Sequence, residues 1–335
     1  MNTAKAPARY IAILIPIVLI NILLFTNTLT AQSNPSQFPN LTLDNKVVKM
    51  GLYLPDPEKG SYRATRFDWS GIIHSLQYQG HEFFGYWKKT HDPTIHEDLS
   101  GPAEAWIAPG LGYEEAKPGE GFLRIGVGLI EKEKEEKYNS FKTYRILDHG
   151  RWKVRHGKDW VTFTHKASSP LGYGYVYTKT IRLTKDQPGF TIAHELKNTG
   201  RKKIQTDQFN HNFFILDGEE TGPNLEVEFP YPISTEQDLK GLVSLDQHKL
   251  RFLKQFEATS VFMTLKGYNN SPEHHAFSVS NKRSGAGVTV KLDQPLHQMN
   301  FWACQTTFCP ENFIYIDLEP GRSFEWQADY SLFVD

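Results

Sequence analysis

With 335 residues the chain is long enough to bury a sizeable core, and large all-β folds hold this length as one domain. A formal net charge of -1 removes any electrostatic case for nucleic acid or an anionic membrane surface as a partner. Two cysteines rule out a disulfide framework, while 13% aromatic residues suit a β-rich protein and also one that stacks on sugar rings.

Residues 1–31 read as a signal peptide. Lys5 and Arg9 supply a positive start, and Ile11 to Phe25 is an apolar run too short for the roughly 20 residues of a spanning helix. Leu29-Thr30-Ala31 before Gln32 offers a cleavage site, so cleavage is favoured over an uncleaved anchor. No cysteine follows the run, which argues against a lipid anchor. The expectation is a secreted or periplasmic protein with no membrane attachment after cleavage, carrying a mature charge of -3 (35 basic against 38 acidic residues).

Residues 32–40 form a short polar tether, and residues 41–335 read as one domain. Ile72 to Tyr78, Phe122 to Leu129, Phe141 to Leu147, Trp152 to His156, Trp160 to His165 and Tyr173 to Leu183 are strand-like runs at close spacing. Glu131 to Lys137 (EKEKEEK) reads as a solvated hairpin connection. Phe190 to Lys197 and Phe324 to Leu332 alternate apolar with polar residues, the mark of half-buried strands. Leu239 to Glu257 has mixed helical spacing and reads equally as two strands. Many short strands without an alternating helical pattern predict an all-β sandwich or barrel.

Four stretches hold chemistry. Tyr62 to Trp87 interleaves Arg63, Arg66 and Asp68 with aromatics; Arg66 and Asp68 either grip a polyhydroxylated ligand or form a surface ion pair. Thr90 to Trp106 is a loop with His91, Asp92, His96, Glu97 and Asp98, followed by Glu104 and Trp106. Its spacing matches no familiar zinc or calcium loop, so no metal is expected; it lines a polar pocket or is simply solvated. In Asn198 to Gly218 a strand ends on a turn and a second strand follows. Strand parity puts Asp207, Phe209, His211, Phe213 and Ile215 on one face, where a lone histidine is more often a core group than a catalyst. Val288 to Phe333 carries Cys304, Cys309 and Glu311. The two cysteines either pair or stay as buried thiols, and Glu311 alone would be a turn carboxylate after Pro310.

Together these stretches resemble the galactose mutarotase (aldose 1-epimerase) superfamily. Asn198, Asn210, His211, Phe213 and Phe214 match its "N-x-x-x-K/P … N-H-x-Y/F-F" block, and Gly71 to Phe84 is similar to its first hairpin. Cys309-Pro310-Glu311 and Leu318-Glu319-Pro320-Gly321 look like its base-bearing segment. The resemblance implies a large antiparallel β-sandwich, with His211 as acid and Glu311 as base. The candidate substrate-binding set is Arg66, Asp68, His91, His96, Glu104, Trp106 and Asn210, with a carbohydrate as the expected partner. Gly101-Pro102-Ala103-Glu104 stands where related mutarotases have an Asn-Arg pair, which argues against a simple free hexose such as galactose.

The implied reaction opens and recloses a sugar hemiacetal. A base takes the anomeric hydroxyl proton while an acid protonates the ring oxygen, and no cofactor is needed because only protons move. A histidine and a carboxylate meet that demand near neutral pH. A polysaccharide lyase or other glycan-active enzyme on the same fold remains an alternative, as does a non-catalytic carbohydrate-binding protein.

Overall fold

The computed structural model describes residue 1 and residues 37–134 and 137–335. The expected signal peptide and most of the tether lie outside the described residues. From residue 37 on, nearly every ordered segment is a strand, as the alternating pattern predicts. The helical element whose bounds lie within the described residues is one short 3-10 turn, Pro272–His274.

The first four strands are β1 (Asn40–Asp44), β2 (Lys49–Tyr53), β3 (Ile73–Tyr78) and β4 (His81–Glu82), and they pair in that order as a small sheet. The β3–β4 hairpin turns on Gln79 and Gly80, both at positive φ (50° and 85°), the geometry of a tight two-residue loop that glycine makes affordable. Next come β5 (Ala103–Trp106), β6 (Gly121–Arg124), β7 (Gly128–Glu131) and β8 (Ile146–Asp148), of which β6, β7 and β8 form a three-stranded sheet.

The long strands follow: β9 (Arg151–His156), β10 (Trp160–Ser168), β11 (Gly174–Leu183), β12 (Gly189–Asn198) and β13 (Ile204–His211). The remainder are β14 (Leu225–Glu228), β15 (Val243–Asp246), β16 (Lys249–Phe252), β17 (Val261–Leu265), β18 (Ala276–Asn281), β19 (Ala286–Leu292), β20 (Gln298–Ala303), β21 (Phe308–Leu318) and β22 (Ser323–Val334). A ten-stranded antiparallel sheet runs β15-β16-β14-β18-β19-β22-β12-β11-β10-β9, and a five-stranded one runs β17-β20-β21-β13-β5.

These two sheets share one apolar core. Ile192, Leu196 and Tyr330 of the large sheet pack in the same buried cluster as Met299, Phe301, Ile314 and Ile316 of the smaller one. Each such side chain contributes roughly 1.5–3 kcal/mol on leaving water. The architecture is the antiparallel β-sandwich that the sequence leads one to expect.

Three local expectations change. Phe122 to Leu129 is two strands, because Gly126 and Gly128 take positive φ (79° and 133°) and turn the chain between β6 and β7. Only Ile146 and Leu147 of the run Phe141 to Leu147 are strand, and Phe141 is exposed. The ambiguous Leu239 to Glu257 resolves into β15 and β16. Among the described residues no helix is long and apolar enough to cross a membrane.

Candidate active site on the outer face of the five-stranded sheet

Strand parity decides what each residue of this sheet meets. In β13 the even positions Ile204, Thr206, Gln208 and Asn210 are buried against the large sheet, while Gln205, Asp207, Phe209 and His211 point to the other face. In β21 the odd positions Glu311, Phe313, Tyr315 and Asp317 share that outer face. The antiparallel register sets His211 directly opposite Glu311, and Asn300 of β20 opposite Glu311 on its other side. One transverse row therefore reads Ala103, His211, Glu311, Asn300, Thr264 from β5 to β17.

His211 Nε2 lies 3.0 Å from Glu311 Oε1. The pair is not inside the sandwich, yet it is nearly covered, with 4% of His211 and 6% of Glu311 exposed. Aromatic rings close over the imidazole: Phe213 stacks on it at 4.0 Å, and Phe67 and Trp302 meet it edge-on at 5.7 and 5.6 Å. His211 Nδ1 is buried with no hydrogen-bond partner. Such an orphan nitrogen costs free energy unless a ligand supplies its partner. Phe213 does not continue the strand. β13 ends at His211 and Phe213 takes φ 43°, so its ring folds back over its neighbour.

Arg66 lies within electrostatic reach of Glu311, and His96 is held to Arg66. Arg66 Nη1 is 3.2 Å from His96 Nδ1, and its guanidinium lies over Phe67 (4.9 Å) and Phe141 (5.2 Å). Burial lowers the Arg66 pKa, and Tyr62 and Glu311 pull it back up. Burial likewise lowers the His96 pKa, opposed by Glu97. Arg124, which sequence reasoning missed, fixes the Arg66 backbone: its buried guanidinium donates to the carbonyls of Arg66 (2.7 Å), Trp106 (3.0 Å) and Ile107 (3.0 Å).

Other expected ligand-binding residues lie elsewhere. Asn210, Glu104 and Trp106 sit on the inner face, one residue out of phase with His211, Ala103 and Ala105. Asn210 donates to Tyr330 Oη (3.1 Å), and Trp106 packs edge-on against Tyr177 and Trp326. Asp68 is buried too, and its cation is Lys179 rather than Arg66. Lys179 Nζ reaches Asp68 Oδ2 (2.9 Å), Glu104 Oε2 (3.2 Å) and the Ser70 carbonyl (2.7 Å). His194 Nε2 sits 2.8 Å from Glu104 Oε1, and Tyr177 donates to Glu104 Oε2 (2.8 Å). Burial alone would raise the Glu104 pKa, but His194 and Lys179 overrule it and hold the carboxyl well below the usual range. Asp68, Glu104, Lys179, Tyr177 and His194 are an internal network, not a ligand pocket.

His91 is likewise engaged, its Nδ1 3.0 Å from Asp98 Oδ1 and its Nε2 2.7 Å from the Ser61 carbonyl. The loop's other acidic groups are engaged within the protein too: Asp92 accepts from Thr94, and Glu97 pairs with Lys88 (2.9 Å). Cys304 and Cys309 are free thiols; Cys309 is buried and accepts from Phe213 N–H at 3.1 Å. Asn198 is buried at the β12–β13 turn, where its amide donates to the Lys202 and Leu318 carbonyls (2.8 and 2.9 Å). Surface concavities of about 380 to 630 Å³ lie near the β3–β4 hairpin, beside Tyr113 and Tyr138, near Arg283 and beside Tyr175. None of these four includes His211 or Glu311.

No protein-family model matches the sequence, and no curated protein does. Solved structures match over nearly their full length. An Escherichia coli K12 protein described as a candidate aldose 1-epimerase aligns with TM-score 0.57 at 14% identity, covering 88% of this chain and 99% of that one. The GalM/aldose epimerase homologue from C. elegans aligns with TM-score 0.53 at 12% identity, covering 88% and 98%. A galactose mutarotase related enzyme from Lactobacillus acidophilus gives 0.52 at 14% identity, covering 88% and 97%. At these identities the likeness establishes the fold, and the chain has the galactose mutarotase-like β-sandwich.

Proposed function

We propose that the protein is an exported aldose 1-epimerase-like isomerase that interconverts the anomers of a sugar or glycan-derived ring. The observation that carries this reading is the His211–Glu311 pair, 3.0 Å apart on the outer face of the sheet. Mutarotation acts on two oxygens bonded to one carbon, so its acid and base belong side by side. Glu311 takes the proton of the anomeric hydroxyl as the C1–O5 bond breaks and the C1 carbonyl forms. His211 protonates the ring oxygen in the same step. The C1 aldehyde rotates, and the steps run in reverse to give the other anomer, with every proton returned. Substrate enters by displacing the direct contact between the pair, and the rings of Phe67, Phe213 and Trp302 shift to admit it. The basic start and apolar run of residues 1–31 support export.

The test is NMR exchange spectroscopy of anomers over a panel of reducing sugars. Glu311→Gln and His211→Asn should each lower the catalysed rate by roughly 10² to 10⁴, measured at a temperature where circular dichroism shows each variant folded. Exchange no faster with protein than without it, on every sugar, refutes the reading. The near closure of the pair favours one second reading, a carbohydrate-binding protein without turnover. That reading predicts sugar affinity that survives Glu311→Gln.

A further inference from the structure

The outer face of the five-stranded sheet does not stop at the pair. Along β13 and β21 the next rung is Phe209 opposite Phe313, and the one after is Asp207 opposite Tyr315. Phe209 and Phe313 stack on each other with ring centroids 4.3 Å apart. Tyr315 is 45% exposed, and Gln205 Nε2 holds its hydroxyl at 3.2 Å. Asp207 Oδ1 is buried without a hydrogen-bond donor, His297 Nε2 stopping 3.7 Å away. Burial raises the Asp207 pKa, against the pull of His297. Each rung advances two residues, so Asp207 and Tyr315 stand about 14 Å along the strands from the pair.

We infer that this ladder is a glycan-binding platform continuous with the His211–Glu311 site, and that the substrate class is the reducing end of an oligosaccharide. The inference rests on the proposed reaction for its chemistry, though not for its binding surface. The chemistry of the face fits one occupant. Sugar rings present C–H faces that lie on aromatic side chains, and hydroxyl edges that donate to carboxylates. Tyr315 and the half-buried Phe209, backed by the buried Phe313, offer the first surface, and the Asp207 oxygen that lacks a hydrogen-bond donor offers the second. The extent of the face supplies the length argument: the acid–base rung can engage one ring while later rungs hold the rings that follow.

The experiment measures binding and catalysis separately. Binding uses borohydride-reduced trisaccharides, which lack a hemiacetal and cannot react, titrated calorimetrically into the full chain. Catalysis compares KM for anomer exchange of a monosaccharide with that of the matching reducing trisaccharide. The platform predicts binding of at least one reduced trisaccharide from a panel of linkages. Tyr315→Ala and Asp207→Asn should each weaken it roughly fivefold to tenfold. Phe262→Ala, at a 50% exposed position on edge strand β17, is the control and should leave binding unchanged. Circular dichroism melts establish that all three variants fold. A KM equal for monosaccharide and trisaccharide, with no reduced trisaccharide bound, overturns the platform while leaving the mutarotase reading intact. Tyr315-dependent binding without anomer exchange on any sugar refutes that reading and leaves the platform standing. Loss of binding in Phe262→Ala, with none in Tyr315→Ala, places the glycan across the sheet and overturns the ladder.

Discussion

Lys179→Met is the most informative perturbation of the interior network. The ammonium sits among Asp68 Oδ2, Glu104 Oε2 and the Ser70 carbonyl, with 1% of its side chain exposed. Methionine keeps the aliphatic volume and removes the charge, so two buried carboxyls lose their shared cation. Breaking a buried pair from one side costs about 3–5 kcal/mol, because the remaining charge has no water to turn to. At about 1.5–2 °C per kcal/mol for a domain of about 300 residues, the melting temperature should fall by roughly 5–10 °C. Asp68 keeps the Ser70 N–H and O–H bonds (3.0 and 2.6 Å), and burial already raises its pKa, so it can take up a proton. Lys179→Met combined with Asp68→Asn should therefore cost less than the two singly, a coupling read from a double-mutant cycle by urea unfolding. A loss below about 1 kcal/mol, or strict additivity, would refute the reasoning. The same variant tests the link to the site, because Asp68 N–H donates to the Glu104 carbonyl (2.8 Å) and Phe67, its neighbour, lies on His211. Anomer exchange should weaken well below the melting temperature.

Glu104 also sets an acid limit on stability. Its folded carboxyl is held below the unfolded value of about 4.5, so its contribution is complete above that pH and is withdrawn as pH falls toward the folded value. Glu104→Gln should flatten the acid limb of melting temperature against pH. Native protein should present one reactive thiol to a maleimide and two after denaturation, because burial, with Glu311 nearby, pushes the Cys309 pKa well up while Cys304 is half-buried. Gly101→Ala should destabilise by at least about 1–3 kcal/mol in a urea titration, since a Cβ there would meet the Asn212 carbonyl at 1.7 Å.

Strands were legible in the sequence because alternation is a local signal: Phe190 to Lys197 and Phe324 to Leu332 read correctly from neighbours alone. Backbone turns without a composition change were not, which is why β6 and β7 merged across Gly126. Within the site, His211 and Glu311 stood out through a block pattern and proved to share a rung. Asn210 could have been set aside by parity, since adjacent strand residues face opposite ways. Asp68, Glu104 and Trp106 were harder to place. Their partners Lys179, His194, Tyr177 and Trp326 are at least 70 positions away, and no local pattern announces a charge that will be neutralised from the opposite sheet. Trp302 and Phe67 acquire meaning only when β20 and the loop after Tyr62 close over the imidazole.

The alternation within β13 has a further bearing on how the chain can change. Odd positions answer to whatever molecule reaches the surface, and even positions answer to the interior, so the two sets are free to diversify under separate pressures. Point substitutions therefore retune recognition cheaply at Gln205, Asp207 or Phe209. Deleting a single residue between Ile204 and His211 is another matter. It would turn the imidazole inward and bring Asn210 out, exchanging both inventories at once. Length in this strand is therefore held more tightly than the identity of its outward side chains.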